Sequence, residues 1–334
     1  MMEWPLPIRV LLLPLSWIYG LVSRAKTLLY TAGILSQKRL NGAVISVGNL
    51  TVGGTGKTPM VMWLAEKFLT EGKRVAILSR GYRGEQGTSD EIQLLKRRLG
   101  GKVRFGVGAD RFAEGKNLEV AEPVDVFLLD DGFQHLKLAR DVDVLMLDGS
   151  KRLKNEWLLP AGSLREPLRA CRRADLLVVT RKSEHPDIER NDSHEHHIFY
   201  AQTRLLGFRK LGGEGVPSLW RETAPGPFLA FCGIGNPQAF FADLKRWSVP
   251  LGGTKEFRDH HRYSDSDAKQ LESLAKKNGT AALVTTEKDE QNLRQANFKT
   301  VPVYVAVIDF ILRSESEFGP TLDRILKERR GGVS

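Results

Sequence analysis

Cysteine is almost missing from this chain: Cys171 and Cys232 are the only two among 334 residues. That excludes a disulfide scaffold and a multi-cysteine zinc site, and it suits a reducing compartment. Aromatic residues are missing from the basic stretch 151–182 except for Trp157, and no RNP, KH, zinc-finger or basic-zipper pattern is present, so nucleic acid is not expected as a partner. Acids are outnumbered, 40 against 50 Lys and Arg, leaving a net charge of +10 that favours anionic partners. Long apolar runs are missing too. The longest, residues 10–22 (VLLLPLSWIYGLV), reaches about 20 Å as a helix against a hydrocarbon core of ~30 Å, and Pro14 and Gly20 weaken it further. No small-residue cleavage site follows it. Neither a transmembrane helix nor a cleaved signal is expected there.

What the chain does have is 41% hydrophobic and 27% charged residues, enough to bury a sizeable core. Its length suggests two domains at about 150 residues each. At the start, Leu11, Leu15, Ile18, Val22 and Leu29 recur at helical spacing, while Ser16, Gly20, Ser23 and Thr27 form a small, weakly polar stripe. Five bases and one acid fall in residues 1–50, a local +4. Residues 1–40 therefore read as an amphipathic membrane-surface segment, or as a helix packed on the protein's own core.

The strand-like run 43–47 (AVISV) is followed by a glycine-rich loop and by a helical pattern from Met60. That is the context of a phosphate-binding P-loop. Thr51, Val52, Gly53, Gly54, Thr55, Gly56, Lys57, Thr58 and Pro59 form it. Gly53, Gly54 and Gly56 let backbone N–H groups approach phosphate oxygens at a helix N-terminus; Lys57 would reach the β- and γ-phosphates and Thr58 would ligate Mg²⁺. The usual motif has Gly where this chain has Thr51.

A second apolar run, 126–129, ends in Asp130 and Asp131, where a nucleotide's metal is usually held. A third, 74–79, leads into Arg80-Gly81-Tyr82 and then Ser89-Asp90-Glu91. Asp90 is placed to take a proton or hold a metal, or simply to cap a helix starting near Glu91. Strand–helix alternation predicts a doubly wound, mainly parallel α/β sheet, with these loops converging at the carboxyl ends of the strands. The strand 176–179 lacks the Asn-Lys-x-Asp segment of guanine-specific proteins, which favours ATP. Residues 151–182 carry nine bases and three acids, a local +6.

These motifs, with Gln134-His135, Leu159-Pro160-Ala161-Gly162, Leu164-Arg165-Glu166-Pro167, Phe257-Arg258-Asp259-His260-His261 and Thr285-Thr286-Glu287-Lys288-Asp289, resemble the tetraacyldisaccharide 4'-kinase family, the lipid A 4'-kinases of Gram-negative bacteria. Thr51 is typical of that family. The resemblance implies ATP- and Mg²⁺-dependent phosphorylation of the 4'-hydroxyl of a lipid A disaccharide 1-phosphate precursor at the cytoplasmic face of the inner membrane. It implies Asp90 as general base paired with His260, and Lys57 on the transferring phosphoryl group. Thr58, Glu91, Asp130 and Asp131 become candidate metal contacts, and Arg80, Arg111, Gln134, His135, Arg140 and Arg165 candidate substrate contacts.

Residues 183–197 read as a polar loop whose His194, His196 and His197 match no standard metal spacing. Beyond about residue 205 a second α/β pattern begins, with strands over 228–231, 282–285 and 301–307 and helices over 268–277 and 317–329. Gly233-Ile234-Gly235-Asn236-Pro237 reads as a plain strand-to-helix connection. The expected division is 1–40, a P-loop kinase domain over 41–205, and a smaller α/β domain over 206–334 that completes an active-site cleft. A P-loop switch or metallochaperone-type ATPase acting on a protein is the alternative function, and it has no need of an Asp90–His260 pair.

Overall fold

The computed structural model describes residues 5–81, 89–150, 153–181, 197–213, 215–223 and 226–331. Tyr82, Lys151, Arg152, Lys182 and most of the polar loop, with His194 and His196, lie outside the described residues. In chain order the strands are β1 (Ala43–Asn49), β2 (Val75–Ser79), β3 (Arg104–Val107), β4 (Val126–Asp130), β5 (Val142–Asp148), β6 (Leu176–Thr180), β7 (His197–Lys210), β8 (Phe228–Cys232), β9 (Leu251–Glu256), β10 (Ala282–Thr286) and β11 (Val303–Leu312). The helices are α1 (Leu6–Leu11), α2 (Leu13–Thr31), α3 (Lys57–Thr70), α4 (Asp90–Leu99), α5 (Arg111–Ala121), α6 (Trp220–Thr223), α7 (Pro237–Arg246), α8 (Asp265–Lys277), α9 (Asp289–Asn292) and α10 (Glu315–Gly331).

The chain forms two compact units. The larger holds residues 2–88, 95–202 and 312–334; the smaller holds 89–94 and 203–311. This differs from the expected division in three places. Residues 1–40 do not stand apart, the C-terminal helix returns to the P-loop unit, and the segment carrying Asp90 belongs with the second α/β unit.

In the larger unit the strand order is β3-β2-β4-β1-β5-β6-β7, with parallel pairing throughout. β1, β2, β4, β5 and β6 are buried along their whole length. That explains why they read as unbroken apolar runs rather than alternating ones: a parallel sheet is covered on both faces. Because β2, β4 and β1 are parallel neighbours, the loops that follow them leave from one edge, as expected. α10 closes this unit. Phe318 meets the rings of Trp63 and Phe199 edge-on at 5.4 and 4.9 Å, and Lys67 pairs with Asp323 at 3.2 Å.

α2 packs in the larger unit through its small stripe. Ser16 Oγ donates to the Leu158 carbonyl and accepts from the Ala161 N–H, both at 3.0 Å. A Cβ on Gly20 would lie 2.6 Å from the Leu158 side chain, so a larger residue there would push that side chain aside. Arg9 bonds the Ala161 carbonyl and Glu156, and Lys26 bonds the Gln134 carbonyl. The opposite, apolar face is open to solvent, with Trp17 78% exposed and Leu21 70%, and Leu11 of α1 is 78% exposed as well. The docked face is that of a helix packed on the protein's own fold. Among the described residues, no helix is long and apolar enough to cross a membrane.

In the smaller unit the order is β7-β11-β10-β8-β9, and β11, β10, β8 and β9 pair in parallel. Its connections follow local chemistry. Asn236 accepts from the Ala239 N–H and Pro237 opens α7, which is the plain strand-to-helix turn expected. Ser264 and Asp267 form a capping box at the start of α8.

Candidate active site

The glycine-rich loop links β1 to α3. Gly53 and Gly56 have φ of +114° and +89°, and a Cβ at Gly53 or Gly54 would meet nothing within 4 Å. The loop is therefore an open cradle with left-handed turns that a side chain would strain. Asn49 Nδ2 donates to Thr55 Oγ1 at 3.0 Å, and the Val52 N–H bonds the Ser163 carbonyl. Thr180 and Arg181 brace the loop from the end of β6, donating to the Thr55 and Gly54 carbonyls at 3.2 and 3.1 Å. α3 begins at Lys57, earlier than the apolar pattern suggested, because Gly56 turns the chain directly into it. Thr51, Thr55 and Thr58 are buried, and Pro59 sits in the first turn of α3.

Lys57 Nζ lies 3.4 Å from Asp131, whose two oxygens accept from Arg165 Nη1 at 2.8 and 2.7 Å. Burial pushes the Asp131 carboxyl up, but the charges of Lys57 and Arg165 outweigh it and hold it below the usual carboxylate range. Asp130, the last residue of β4, is buried beside it. Gln134 Nε2 donates to the Asn49 carbonyl and to Glu166, both at 3.0 Å. Burial, then Arg111, Lys26 and Arg140, depress the His135 imidazole to about 4, so it is neutral at physiological pH. Arg111 is buried and reaches the Asp130 carbonyl at 3.4 Å.

Arg140 departs from its expected role. It is enclosed, paired with Asp143 at 3.1 Å, and bonded to the Gly132 and Phe133 carbonyls. It braces the loop that follows β4. Arg80 is exposed just beyond β2. The basic stretch 151–182 is also less available than its charge suggested. Arg165 and Arg181 pair with Asp131 and Asp148, acids from outside the stretch, and Arg173 pairs with Glu166 inside it.

Asp90 and His260, 170 residues apart in sequence, meet in the smaller unit. His260 Nδ1 lies 2.9 Å from Asp90 Oδ2, and Asn292 Nδ2 donates to the same oxygen at 2.9 Å. Asp90 is not the helix cap: Ser89 Oγ accepts from the Ile92 N–H, and Asp90 is the first residue of α4. Burial raises the Asp90 carboxyl, but the bonds from His260 and Asn292 and the His260 charge leave it lowered overall. The bond to Asp90 raises His260 to about 9, against the smaller effect of burial, so at neutral pH it is an imidazolium. Its side chain is 53% exposed and that of Asp90 only 15%. His260 also sits at φ +58°, a conformation that costs energy and marks a constrained turn. His261 turns away, 3.2 Å from Asp267 and stacked on Phe257.

Glu91, named from the sequence as a candidate metal contact, pairs with Lys288 at 2.6 Å. Its carboxyl is held at about 2 because that partner outweighs burial. Among the described residues no group of three or more His, Cys, Asp or Glu side chains could hold a metal. That donor set still fits a Mg²⁺ carried by a nucleotide, which takes one or two protein oxygens and completes its shell with phosphate and water. The Thr58 hydroxyl and the Asp130–Asp131 carboxylates are oxygens of that kind within the larger unit.

Four residues of this region, Gly233, Lys288, Asp289 and Asn292, were not singled out from the sequence as site residues. For Asp289 a signal existed. Thr286 and Asp289 have the spacing of a capping box, and the Asp289 N–H does bond Thr286 Oγ1 at 3.2 Å.

A profile of the tetraacyldisaccharide-1-P 4'-kinase family matches residues 8–327. The tetraacyldisaccharide 4'-kinase of Geobacter metallireducens is 39% identical over 95% of this chain and 98% of its own. That of Geobacter sulfurreducens is 37% identical over 92% and 91%. The crystal structure of LpxK from Aquifex aeolicus, described as in complex with ATP, superposes with a TM-score of 0.76 at 33% identity, covering 96% of this chain and 99% of that one. On a match that runs through both α/β units, the chain belongs to the tetraacyldisaccharide-1-P 4'-kinase family.

Proposed function

We propose that the protein transfers the γ-phosphoryl group of ATP to the 4'-hydroxyl of a tetraacyldisaccharide 1-phosphate, at the cytoplasmic face of the inner membrane. The observation that carries this reading is the Asp90 carboxylate, held through one oxygen by His260 and Asn292. Both bonds fall on Oδ2, so Oδ1 is the atom that accepts the proton as the hydroxyl oxygen bonds phosphorus and the bond to ADP breaks. An alcohol hydroxyl is a weak nucleophile at neutral pH, and a carboxylate of this kind can take its proton during transfer.

Phosphoryl transfer asks mainly for alignment and neutralised charge. The loop 51–58 cradles the phosphates through backbone N–H groups, and Lys57 offsets charge on the transferring group. Thr58 and Asp130 or Asp131 would hold Mg²⁺, which supplies Lewis-acid neutralisation of the phosphate oxygens. Arg165 fixes Asp131 and, with Arg111, Gln134 and neutral His135, supplies donors for phosphate and sugar. His260 orients Asp90, and its positive charge stabilises the carboxylate until the proton arrives.

Transfer of labelled phosphate from ATP to a tetraacyldisaccharide 1-phosphate acceptor, with RNA and DNA as controls, tests this directly. Labelled lipid is expected only with the disaccharide. Free phosphate released without labelled lipid would restore the ATPase reading.

The membrane part rests on the solvent-facing Leu11, Trp17 and Leu21 of α1 and α2. A helix that docks by one face and leaves an apolar one open suits the plane of a headgroup layer. Ile18→Glu with Leu21→Glu leaves the Ser16 and Gly20 contacts intact and is expected to abolish sedimentation with anionic liposomes. Unchanged sedimentation would remove the membrane from the proposal.

A further inference from the structure

The proposed chemistry makes no use of Asp289, a buried acid in the motif 285–289. Its Oδ1 accepts from the Gly233 N–H and from the Tyr263 hydroxyl, each at 2.8 Å, and its Oδ2 accepts from Thr286 Oγ1 at 2.6 Å. Each route from this carboxylate leads to one member of the Asp90–His260 pair. The Gly233 carbonyl accepts the His260 N–H at 2.9 Å. A Cβ on Gly233 would lie 2.8 Å from the Arg258 carbonyl and 3.0 Å from His261 Cβ, so the turn bearing His260 rests directly on this glycine. Asp289 also opens the short helix α9, which ends in Asn292. Asn292 donates its side chain to Asp90 and accepts the Tyr263 N–H through its carbonyl at 3.1 Å. Lys288, the residue before α9, pairs with Glu91 beside Asp90.

We propose that Asp289 is a positioning residue: its buried carboxylate ties the α9 turn, which holds Asp90 through Asn292, to the Gly233 turn, which holds His260, and so sets the separation of the pair. His260 needs such a tie, since its left-handed backbone is not a conformation it would adopt unaided. Gly233 and Tyr263 are the two arms through which the tie acts. The inference rests on the reading that Asp90 and His260 carry the proton transfer. It goes beyond that reading in assigning what sets their geometry.

The test measures kcat and KM for ATP in Gly233→Ala, Tyr263→Phe, Asp289→Asn and Asp289→Ala, each alone and combined with His260→Ala, with thermal unfolding as a control. Gly233→Ala moves the turn without removing any polar group, and Tyr263→Phe removes one bond, so both report even if Asp289→Ala fails to fold. Gly233→Ala is expected to lower kcat about 10- to 100-fold, as a misplacement near 1 Å does. Tyr263→Phe is expected to lower it several-fold. KM for ATP should stay within about twofold in both, because the loop that binds ATP is elsewhere in the chain. On top of His260→Ala, neither substitution should lower kcat further by more than about twofold, the signature of residues acting through one group.

Losses that multiply with His260→Ala, or that raise KM for ATP in proportion, would show general disruption and overturn the proposal. A collapsed kcat in His260→Ala beside wild-type kcat in Gly233→Ala and Tyr263→Phe would overturn it alone. Full kcat in His260→Ala would instead overturn the reading of the pair itself, and this proposal with it.

Discussion

Asp131 and Asp90 both sit where a regular element meets a loop, and both face positive charge, yet they are set up for opposite tasks. Asp131 lies between two cations, Lys57 and Arg165. It is held in the ionised state, with both oxygens accepting from Arg165. Among the described residues Asp90 faces one cation, His260, which is half exposed and whose charge depends on pH, plus the neutral Asn292. A carboxylate held by permanent charges makes a fixed anchor. One held by an imidazole keeps an oxygen available and an adjustable proton affinity. The same residue type thus serves as a fixed anion in one unit and as a candidate base in the other.

The largest expected effect separates the two by kinetics. Asp90→Ala should lower kcat by about 10²–10⁴, the usual worth of a general base, with ATP affinity nearly unchanged. Asp131→Ala releases both Lys57 and Arg165 and should weaken ATP binding as well. Matching profiles in steady-state assays would erase the distinction. A smaller effect sharpens it. Imidazole NMR should find His260 titrating at about 9, and in Asp90→Asn it should fall toward the ordinary value of about 6.5. A value that stays put would mean that Asp90 is not what raises it.

The smallest effect is on stability. The folded value for His260 lies above the unfolded one, so the pair's contribution is fully present below about pH 6.5 and is lost as pH rises through about 9. The Tm advantage of the wild type over His260→Ala should therefore shrink between pH 6.5 and 9.5. An advantage that grows over that range would contradict the assignment.

How far the sequence carried depends on whether a feature is local. Strands such as those at 43–47 and 228–231 were legible because buried parallel strands are short apolar runs, whereas β3, β5, β7 and β9 were not read from the sequence. The P-loop was legible because its glycines, Lys57 and Thr58 act within one turn of chain. Asp90 and His260 could be paired only through the family resemblance, since no spacing rule spans 170 residues. Charge was the least legible property. Arg140 and Arg173 counted as available bases in the composition, but Asp143 and Glu166 neutralise them in the fold. The apolar stripe at the start was visible, yet which face would dock depended on Leu158 and Ala161, far along the chain.

The return of α10 to the first unit has a consequence for how the protein is made. The ribosome releases the P-loop early, but the rings of Trp63 and Phe199 wait for Phe318, and Asp141 and Asp175 wait for Arg329. A nascent chain that has emerged only through β11 has all its phosphate-binding residues and an uncovered apolar seam beside them. Such intermediates are prone to aggregate. Completion of translation, more than assembly of the nucleotide loop, is thus the step that finishes the first unit, and a chain stopped short of its last helix carries its motifs without a closed core.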